Sequence, residues 1–374
     1  MTGYEEILDD YRTQGRLRRI PEEAENGLID LCSNDYMGLA AKSNVWREEF
    51  HTRFGYPAMT SSASRLLSGR QNEFNNLEQW LAKAYGRPAL LYNSGYHANI
   101  GIISALNISG TLWLTDKLIH ASAIDGIRLA RAEYKRWNHN DLDQLTRIIE
   151  QEQRNYQRII VVCESIYSMD GDSGPLPELC EIKRRFPSVM LYVDEAHALG
   201  CFGKTGLGLC QQFGIIDEVD IIVGTLGKAC ASTGAFVICS GLIRDYLINN
   251  SRSLIFSTAL APVNAAWSQF MLEKLKSMHE ERARLTLISK KIRDIVERAT
   301  GVVNPSSSAI VPVITGDSVK AMALSERLRR RGILSLPIRR PTVPPGGERV
   351  RLSLHADLSD REVDYICTAL EEEI

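Results

Sequence analysis

The stretch VMLYVDEAHALG (189–200) decides how this chain is read. Five apolar residues, Val189 to Val193, lead straight into Asp194, Glu195 and His197 with no polar residue inside the run. A short apolar run that turns polar only at its end predicts a strand buried on both faces. Three further runs have this branched, apolar form. Ile159 to Cys163 leads into Glu164, Ile221 to Val223 leads into Gly224-Thr225-Leu226-Gly227-Lys228, and Phe236 to Cys239 ends the series. Helix-like patterns, such as Asp141 to Glu152 and Leu176 to Arg185, lie between them. Buried strands alternating with helices imply an α/β fold: a large, mostly parallel sheet flanked by helices.

Working outward, Phe74, Leu77, Leu81 and Ala84 follow helical spacing from Gln71, and ALLYNSG (89–95) reads as a strand entering a turn. His97 to Leu106 is again helical. After Ala261 the texture changes. A long amphipathic segment runs from Pro262 towards Thr300, then come a strand-like IVPVIT (310–315), a basic helix at 318–331, a loop PTVPPGG (341–347), alternating RVRLSLH (349–355) and an acidic final helix. The expected division is an N-terminal arm with part of a small domain (1–45), a large domain (46–261) and a smaller α+β domain (262–374).

The 374 residues carry 44 Lys+Arg against 46 Asp+Glu, so no sequence-wide field favours nucleic acid or an anionic membrane. Eight scattered cysteines without a CxxC pair predict reduced thiols in a cytoplasmic protein. No apolar run approaches the ~20 residues that span a bilayer.

In open α/β sheets ligands bind beyond the carboxyl ends of strands, so Glu164, Asp194, His197, Thr225 and Lys228 are expected to converge. Lys228 lies among Gly227, Ala229, Ala231 and Ser232, which leave room for a bulky group. At the helix start expected there its charge opposes the local dipole, so a purely structural role is poorly motivated. A lysine that forms a Schiff base with an aldehyde cofactor fits better, and that cofactor is pyridoxal phosphate. Its pyridinium nitrogen needs an acid, which Asp194 supplies unless it is only a helix cap. His197 can reach the phenolic oxygen from the same turn. Asn93-Ser94-Gly95-Tyr96, between a strand and a helix, offers backbone N–H groups to the phosphate, and Thr225 offers a hydroxyl. His120, in DKLIHAS (116–122), could stack on the ring or be an ordinary loop histidine.

Two other readings fail. Asp194-Glu195-Ala196-His197 spells a helicase string, yet no GxxxxGK[ST] accompanies it. His197 and Cys201 lack a third metal ligand, and the glycines around them oppose a continuing helix, so no metal is expected.

Eight motifs occur in one order: SNDYMGLA (33–40), NSGYHAN (93–99), DKLIHAS (116–122), ESIYSMDGDSGPL (164–176), VDEAHALGCFG (193–203), GTLGKA (224–229), FSTALAP (256–262) and RPTVPPGGERVRLSLH (340–355). Together they resemble the α-oxoamine synthases, pyridoxal-phosphate enzymes of the aspartate-aminotransferase fold (fold type I). The resemblance implies a homodimer, with the active site at the subunit interface, that condenses an amino acid with an acyl thioester and releases carbon dioxide. It points to L-alanine and a pimeloyl thioester of coenzyme A or acyl carrier protein. Glycine or serine with acetyl, succinyl or palmitoyl thioesters, and a binding subunit that has lost catalysis, are the alternatives.

The resemblance also implies residue roles. Lys228 would hold the cofactor and remove the α-proton, Asp194 would pair the pyridinium, His197 the phenolic oxygen, and His120 would stack on the ring. Gly95, Tyr96 and Thr225 would hold phosphate, with Ser257 and Thr258 reaching it from the partner subunit. Glu164 and Ser168 would line the site. Asn34 and Arg351 would contact the amino acid, and Arg18, Arg339 and Thr342 would serve substrate or product. Departures fall in SSASRLLSG (61–69), at Cys230 and at Arg340. The cluster Arg327, Arg329, Arg330 and Arg331 reads as a solvated helix face rather than a site for carrier phosphates.

Overall fold

The computed structural model describes residues 2–18, 20, 27–67 and 72–374. Gln71, the end of SSASRLLSG and parts of the N-terminal arm lie outside the described residues. Strands β1 (Ile29–Asp30), β2 (Ala89–Tyr92), β3 (Thr111–Asp116), β4 (Tyr134–Trp137), β5 (Arg158–Glu164) and β6 (Val189–Asp194) come first. They are followed by β7 (Ile221–Thr225), β8 (Ala235–Ile238), β9 (Ile310–Ile314), β10 (Ile333–Leu334), β11 (Leu336–Ile338) and β12 (Arg349–Ser353). The chain divides into two compact units. The larger holds Met37–Tyr167 and Ser173–Arg282; the smaller holds the described residues up to Tyr36, Ser168–Asp172 and Ala283–Ile374.

In the larger unit seven strands form one sheet in the order β2-β8-β7-β6-β5-β3-β4. Only β8 runs against its neighbours; the other adjacent pairs are parallel. The mostly parallel sheet expected from the apolar runs is therefore present. Two of its strands, β3 and β4, were not marked by the sequence. β4, Tyr134-Lys135-Arg136-Trp137, buries only Trp137, as suits a polar strand at a sheet edge.

One face of this sheet packs Tyr92, Trp113, Ile160, Val162 and Val223 against Ala98, Ile102 and Ile103 of helix Gly95–Leu106. Helix Ala121–Leu129 adds Ala123 and Ile127 to the same cluster. Each fully buried aliphatic side chain contributes about 1.5–3 kcal/mol, so this layer fixes the helix firmly over the strands. Alternate residues such as Cys163 and Val193 point to the other side, and helix Leu176–Arg185 packs on β6. The register then decides the chemistry. Glu164 of β5 stands opposite Asp194 of β6, and Asp194 opposite Val223 of β7, so the polar residues that end these strands share one edge.

The smaller unit contains an antiparallel sheet, β11-β12-β9, and a two-residue parallel pair of β1 with β10. Helix Ser318–Arg330 is capped by Asp317, which accepts from Val319 and Lys320 N–H, and helix Asp360–Glu373 begins with a Ser359/Glu362 capping box. The amphipathic segment expected from Pro262 to Thr300 is two helices, Pro262–Ser277 and His279–Thr300, because Met278 leaves helical geometry with ψ 53°. The first of these helices belongs to the larger unit. Among the described residues no helix is long and apolar enough to cross a membrane.

Candidate active site

Lys228 sits in the connection from β7 to β8, not at a helix start. β8 must run back beside β7, and the reversal is closed by Leu226 N–H on Gly234 O (2.9 Å) and Ser232 N–H on Leu226 O (2.9 Å). The dipole argument for this lysine therefore falls away, whereas its small neighbours remain. Its Nζ lies 2.8 Å from His197 Nε2, in the turn that follows β6.

Asp194, at the end of β6, is nearly buried, and no helix follows it for it to cap. Its Oδ1 accepts from Ala196 N–H and its Oδ2 from Asn99 Nδ2, both at 2.9 Å. Beside it, Glu164 is buried with Oε1 lacking any hydrogen-bond partner. Burial raises the Glu164 pKa well above the usual carboxyl range, and the adjacent Asp194 charge adds to the rise. Lys228 and the backbone N–H of His120 oppose it without cancelling it. Two carboxyls side by side thus disfavour the charged form of Glu164.

His120 caps helix Ala121–Leu129, taking Ser122 N–H on its ring nitrogen, and leaves part of the imidazole exposed. The protein around the rest of the ring lowers its pKa, chiefly by burial; Lys228 adds to the fall, while Asp194 and Asp125 resist it.

The candidate phosphate cup forms where helix Gly95–Leu106 begins. Ser94 is its N-cap, accepting from His97 N–H. A Cβ on Gly95 would stand 2.5 Å from Thr225 Cγ2, so this helix start approaches the end of β7 as closely as glycine allows. Tyr96 OH donates to Asp125 Oδ2 at 2.7 Å. Asn93, expected to offer only its backbone to this turn, also donates from its side chain to Ser257 Oγ (3.1 Å) and Thr258 O (2.6 Å). Ser257 and Thr258 thus lie beside the helix start of their own chain.

In the smaller unit Arg351 is nearly buried. Its Nε donates to Ser168 O (2.7 Å), Nη1 to Ser353 Oγ (2.8 Å), and Nη2 to Asn34 Oδ1 (3.0 Å) and Tyr36 OH (3.3 Å). Ser168 contributes its carbonyl here, and Tyr36 joins a set that the sequence reading had limited to Asn34 and Arg351. Arg18 Nη2 donates to Thr342 Oγ1 (2.8 Å), and Arg339 donates to Gly15 O (2.5 Å). The Arg339 pKa is lowered, first by burial and then by the like charge of Arg18. The other basic cluster is occupied: Arg327 pairs with Glu373, Arg330 with Glu326, and Arg331 with Glu372 and Glu373. Arg327 and Arg331 thus reach the final helix of the smaller unit, while Arg330 pairs within its own helix, and the face they share stays exposed. All eight cysteines are free, and seven are buried.

A mostly parallel sheet whose adjacent strand ends present an acid, a histidine and a lysine beside a glycine-started helix defines the class. The chain belongs to the aminotransferase class I and II family, matching the family model over residues 26–370. Within that family it is 44% identical to the 8-amino-7-oxononanoate synthase of Haemophilus ducreyi, with 99% of this chain and 100% of that one covered. The solved 8-amino-7-oxononanoate synthase of Francisella tularensis superposes with a TM-score of 0.78 at 27% identity, covering 93% of this chain and 98% of that one. A serine palmitoyltransferase solved with pyridoxal phosphate as its internal aldimine superposes with a TM-score of 0.89 at 27% identity, covering 100% of this chain and 96% of that one.

Proposed function

We propose that this chain is a pyridoxal-phosphate-dependent acyltransferase that makes 8-amino-7-oxononanoate for biotin synthesis. It condenses L-alanine with a pimeloyl thioester of coenzyme A or acyl carrier protein and releases carbon dioxide and the carrier thiol. The observation that carries the chemistry is Lys228 Nζ at 2.8 Å from His197 Nε2, with Asp194 ending the adjacent strand. The observation that favours this member of the family is the 44% identity over nearly the whole chain. The serine palmitoyltransferase likeness is closer in shape but only 27% identical, which supports the fold more than the substrate.

The residues fit the cofactor. Asp194 can take a pyridinium N–H beside its two existing donors, the unpartnered Glu164 Oε1 marks polar capacity the protein does not satisfy, and the Gly95–Thr225 approach forms a cup at a helix N-terminus. Bound there, pyridoxal phosphate supplies an aldehyde to hold the amino group and a ring to delocalise the electrons released at the α-carbon. Lys228 removes the α-proton at its Nζ, and proton transfer by a positioned group contributes roughly 10²- to 10⁴-fold. His197 would hold that nitrogen and the cofactor's phenolic oxygen. Asp194 would keep a positive charge on the ring nitrogen, and His120, with its exposed imidazole, would cover the ring. The backbone N–H of Tyr96 and the hydroxyl of Thr225 would offer further donors to phosphate; Ser257 and Thr258, beside the helix start of their own chain, would in our reading reach the phosphate of a second copy across a subunit interface. Arg351, with Asn34, recognises the amino-acid carboxylate through its planar fork, exchanging a present partner for it. Arg18, Arg339 and Thr342 serve the acyl chain or product.

We extend the reading to a cytoplasmic homodimer. Free cysteines support the compartment, and exposed Tyr56, Met59, Leu67 and Phe256 supply apolar surface for a second copy to cover. A binding subunit that had lost catalysis would have no use for Lys228, Asp194, His197 and His120 together.

The test pairs alanine, glycine and serine with pimeloyl, acetyl, succinyl and palmitoyl thioesters and scores free thiol. Turnover with alanine and a pimeloyl thioester is expected; turnover only with glycine and acetyl-coenzyme A would overturn the assignment. The purified protein is expected to be yellow and borohydride to fix the cofactor on the peptide containing Lys228; colourless protein without an adduct would remove the cofactor chemistry.

A further inference from the structure

A chain of buried side chains joins Asp194 to His120. Tyr192 OH donates to Asn99 Oδ1 at 2.6 Å, and Asn99 Nδ2 donates to Asp194 Oδ2 and to Ser122 Oγ, at 2.9 Å each. Ser122 Oγ lies 2.7 Å from His120 Nδ1, and the Ser122 backbone N–H points at the same nitrogen from 3.2 Å. Asn99, Tyr192 and Ser122 are all buried, so water does not compete for these groups.

The directions of the bonds are forced. An ionised Asp194 only accepts, so the part of the Asn99 amide that faces it is the nitrogen, and both amide hydrogens are then used. Tyr192 is kept protonated by burial, with Asp194 adding to the effect, so it donates to the remaining amide oxygen. At the other end a backbone N–H only donates, so His120 Nδ1 must hold a lone pair. Asn99 occupies an acceptor site on Ser122 Oγ, which aims the serine hydrogen at that lone pair as well.

We propose that Asn99, held by Tyr192, is a positioning residue that ties the Asp194 carboxylate to the tautomer of His120, keeping the imidazole neutral with its proton on Nε2. The inference rests on the functional reading above for what Asp194 and His120 serve; the bonds themselves are a property of the folded chain. A neutral ring can lie against a positively charged aromatic ring without repulsion, and Nε2–H becomes its only donor.

The charged groups facing His120 set the sign of the test. Asp194 and Asp125 favour the imidazolium, Lys228 opposes it, and Glu164 takes the His120 backbone N–H. Loss of Asn99 leaves the Asp194 charge less compensated and frees Ser122 Oγ to accept from Nδ1–H. Both changes favour the cation.

The experiment is nitrogen-15 histidine NMR on the pyridoxal-phosphate-loaded protein, with the His120 signals assigned by their loss in His120→Asn. In the unmodified chain His120 is expected to show an unprotonated Nδ1 and a protonated Nε2 from about pH 6 to about pH 9, because its cation is disfavoured relative to an ordinary histidine. In Asn99→Ala its titration is expected to move up by about one pH unit, a tenfold change in the protonation equilibrium. Ser122→Ala is a smaller change that removes only the hydroxyl aimed at Nδ1, and it is expected to move the titration the same way. A proton on Nδ1 in the unmodified chain, or the same titration in all three proteins, would overturn the proposal. The ring is read directly, so failure of the pimeloyl condensation and failure of this network are separate outcomes.

Discussion

Gly95→Ala is a sharp test of the geometry at the helix start, because two effects of opposite sign meet there. Gly95 is the first residue of its helix and does not sit in the left-handed region, so alanine meets no backbone strain. In open space the substitution would stabilise by about 0.4–1 kcal/mol through the unfolded chain. Here the new Cβ would stand 2.5 Å from Thr225 Cγ2, well inside the ~3.5–4.0 Å of a favourable carbon contact. Either the helix start or the end of β7 must shift, and such overpacking costs about 1–3 kcal/mol. The clash outweighs the entropy gain, so a net loss of about 1–2 kcal/mol is expected. Because the displaced backbone is the proposed phosphate cup, pyridoxal-phosphate affinity is expected to fall by about tenfold, equivalent to ~1.4 kcal/mol. Thr225→Ser removes Cγ2 while keeping Oγ1, at about 0.8 kcal/mol for the lost methyl. The double variant is therefore expected to be more stable than the sum of the singles by about 1–2 kcal/mol, the signature of neighbours that couple. Urea unfolding of all four proteins reads the cycle, and titration with pyridoxal phosphate reads the cup. A stabilised Gly95→Ala protein, or a double variant that is strictly additive, would refute the reasoning.

Three further outcomes are expected. Burial and the Asp194 charge raise the Glu164 pKa, so above the ordinary carboxyl pKa the folded protein holds a proton that the unfolded chain has released, and stability falls as pH rises through that window. Glu164→Gln removes this slope and is expected to gain on the unmodified chain between about pH 5 and about pH 8 in urea midpoints; parallel curves would show the carboxyl to be ionised. Asp194→Asn is expected to keep the site's shape while losing at least about 100-fold in turnover, as removal of a preorganised electrostatic group does; near-normal turnover would take Asp194 out of the mechanism. Arg331→Ala breaks partly exposed pairs with Glu372 and Glu373, so only a small loss of stability is expected, with KM for a coenzyme A thioester unchanged. A tenfold rise in that KM would reassign the cluster to carrier phosphates.

β5, β6, β7 and β8 were legible because each is an apolar run, which a covered, mostly parallel sheet explains; β3, equally buried, was not, because Thr111, Thr115 and Asp116 break its apolar run. β4 was not, since Tyr134, Lys135 and Arg136 at the sheet edge have the composition of a loop. Lys228 shows a different failure. Its run of small residues suggests a helix start locally, but β8 pairs antiparallel with β7, and that distant pairing imposes a tight reversal instead. The site's primary residues were legible because polar groups ending apolar runs meet along one edge once the strands align. The arginine set of the smaller unit needed the resemblance, since no local pattern links Asn34 to Arg351.

Asn99 was the residue with a local signal that went unused. In GYHANIGIISAL (95–106) it shares a helical face with Ile102 and Ile103, at i+3 and i+4, and both are buried against the sheet. A polar side chain on the apolar face of a helix must find partners or cost the folded state its desolvation, about 1–3 kcal/mol. The strand beneath has to answer it, and the polar residues that do so are Tyr192 and Asp194, whose side chains point to the same face of β6 two positions apart. A buried amide aimed at a strand end that also carries an acid therefore marks the strand end as a site before any cofactor is considered. It is a stricter criterion than the acid alone, because it requires helix and strand to agree.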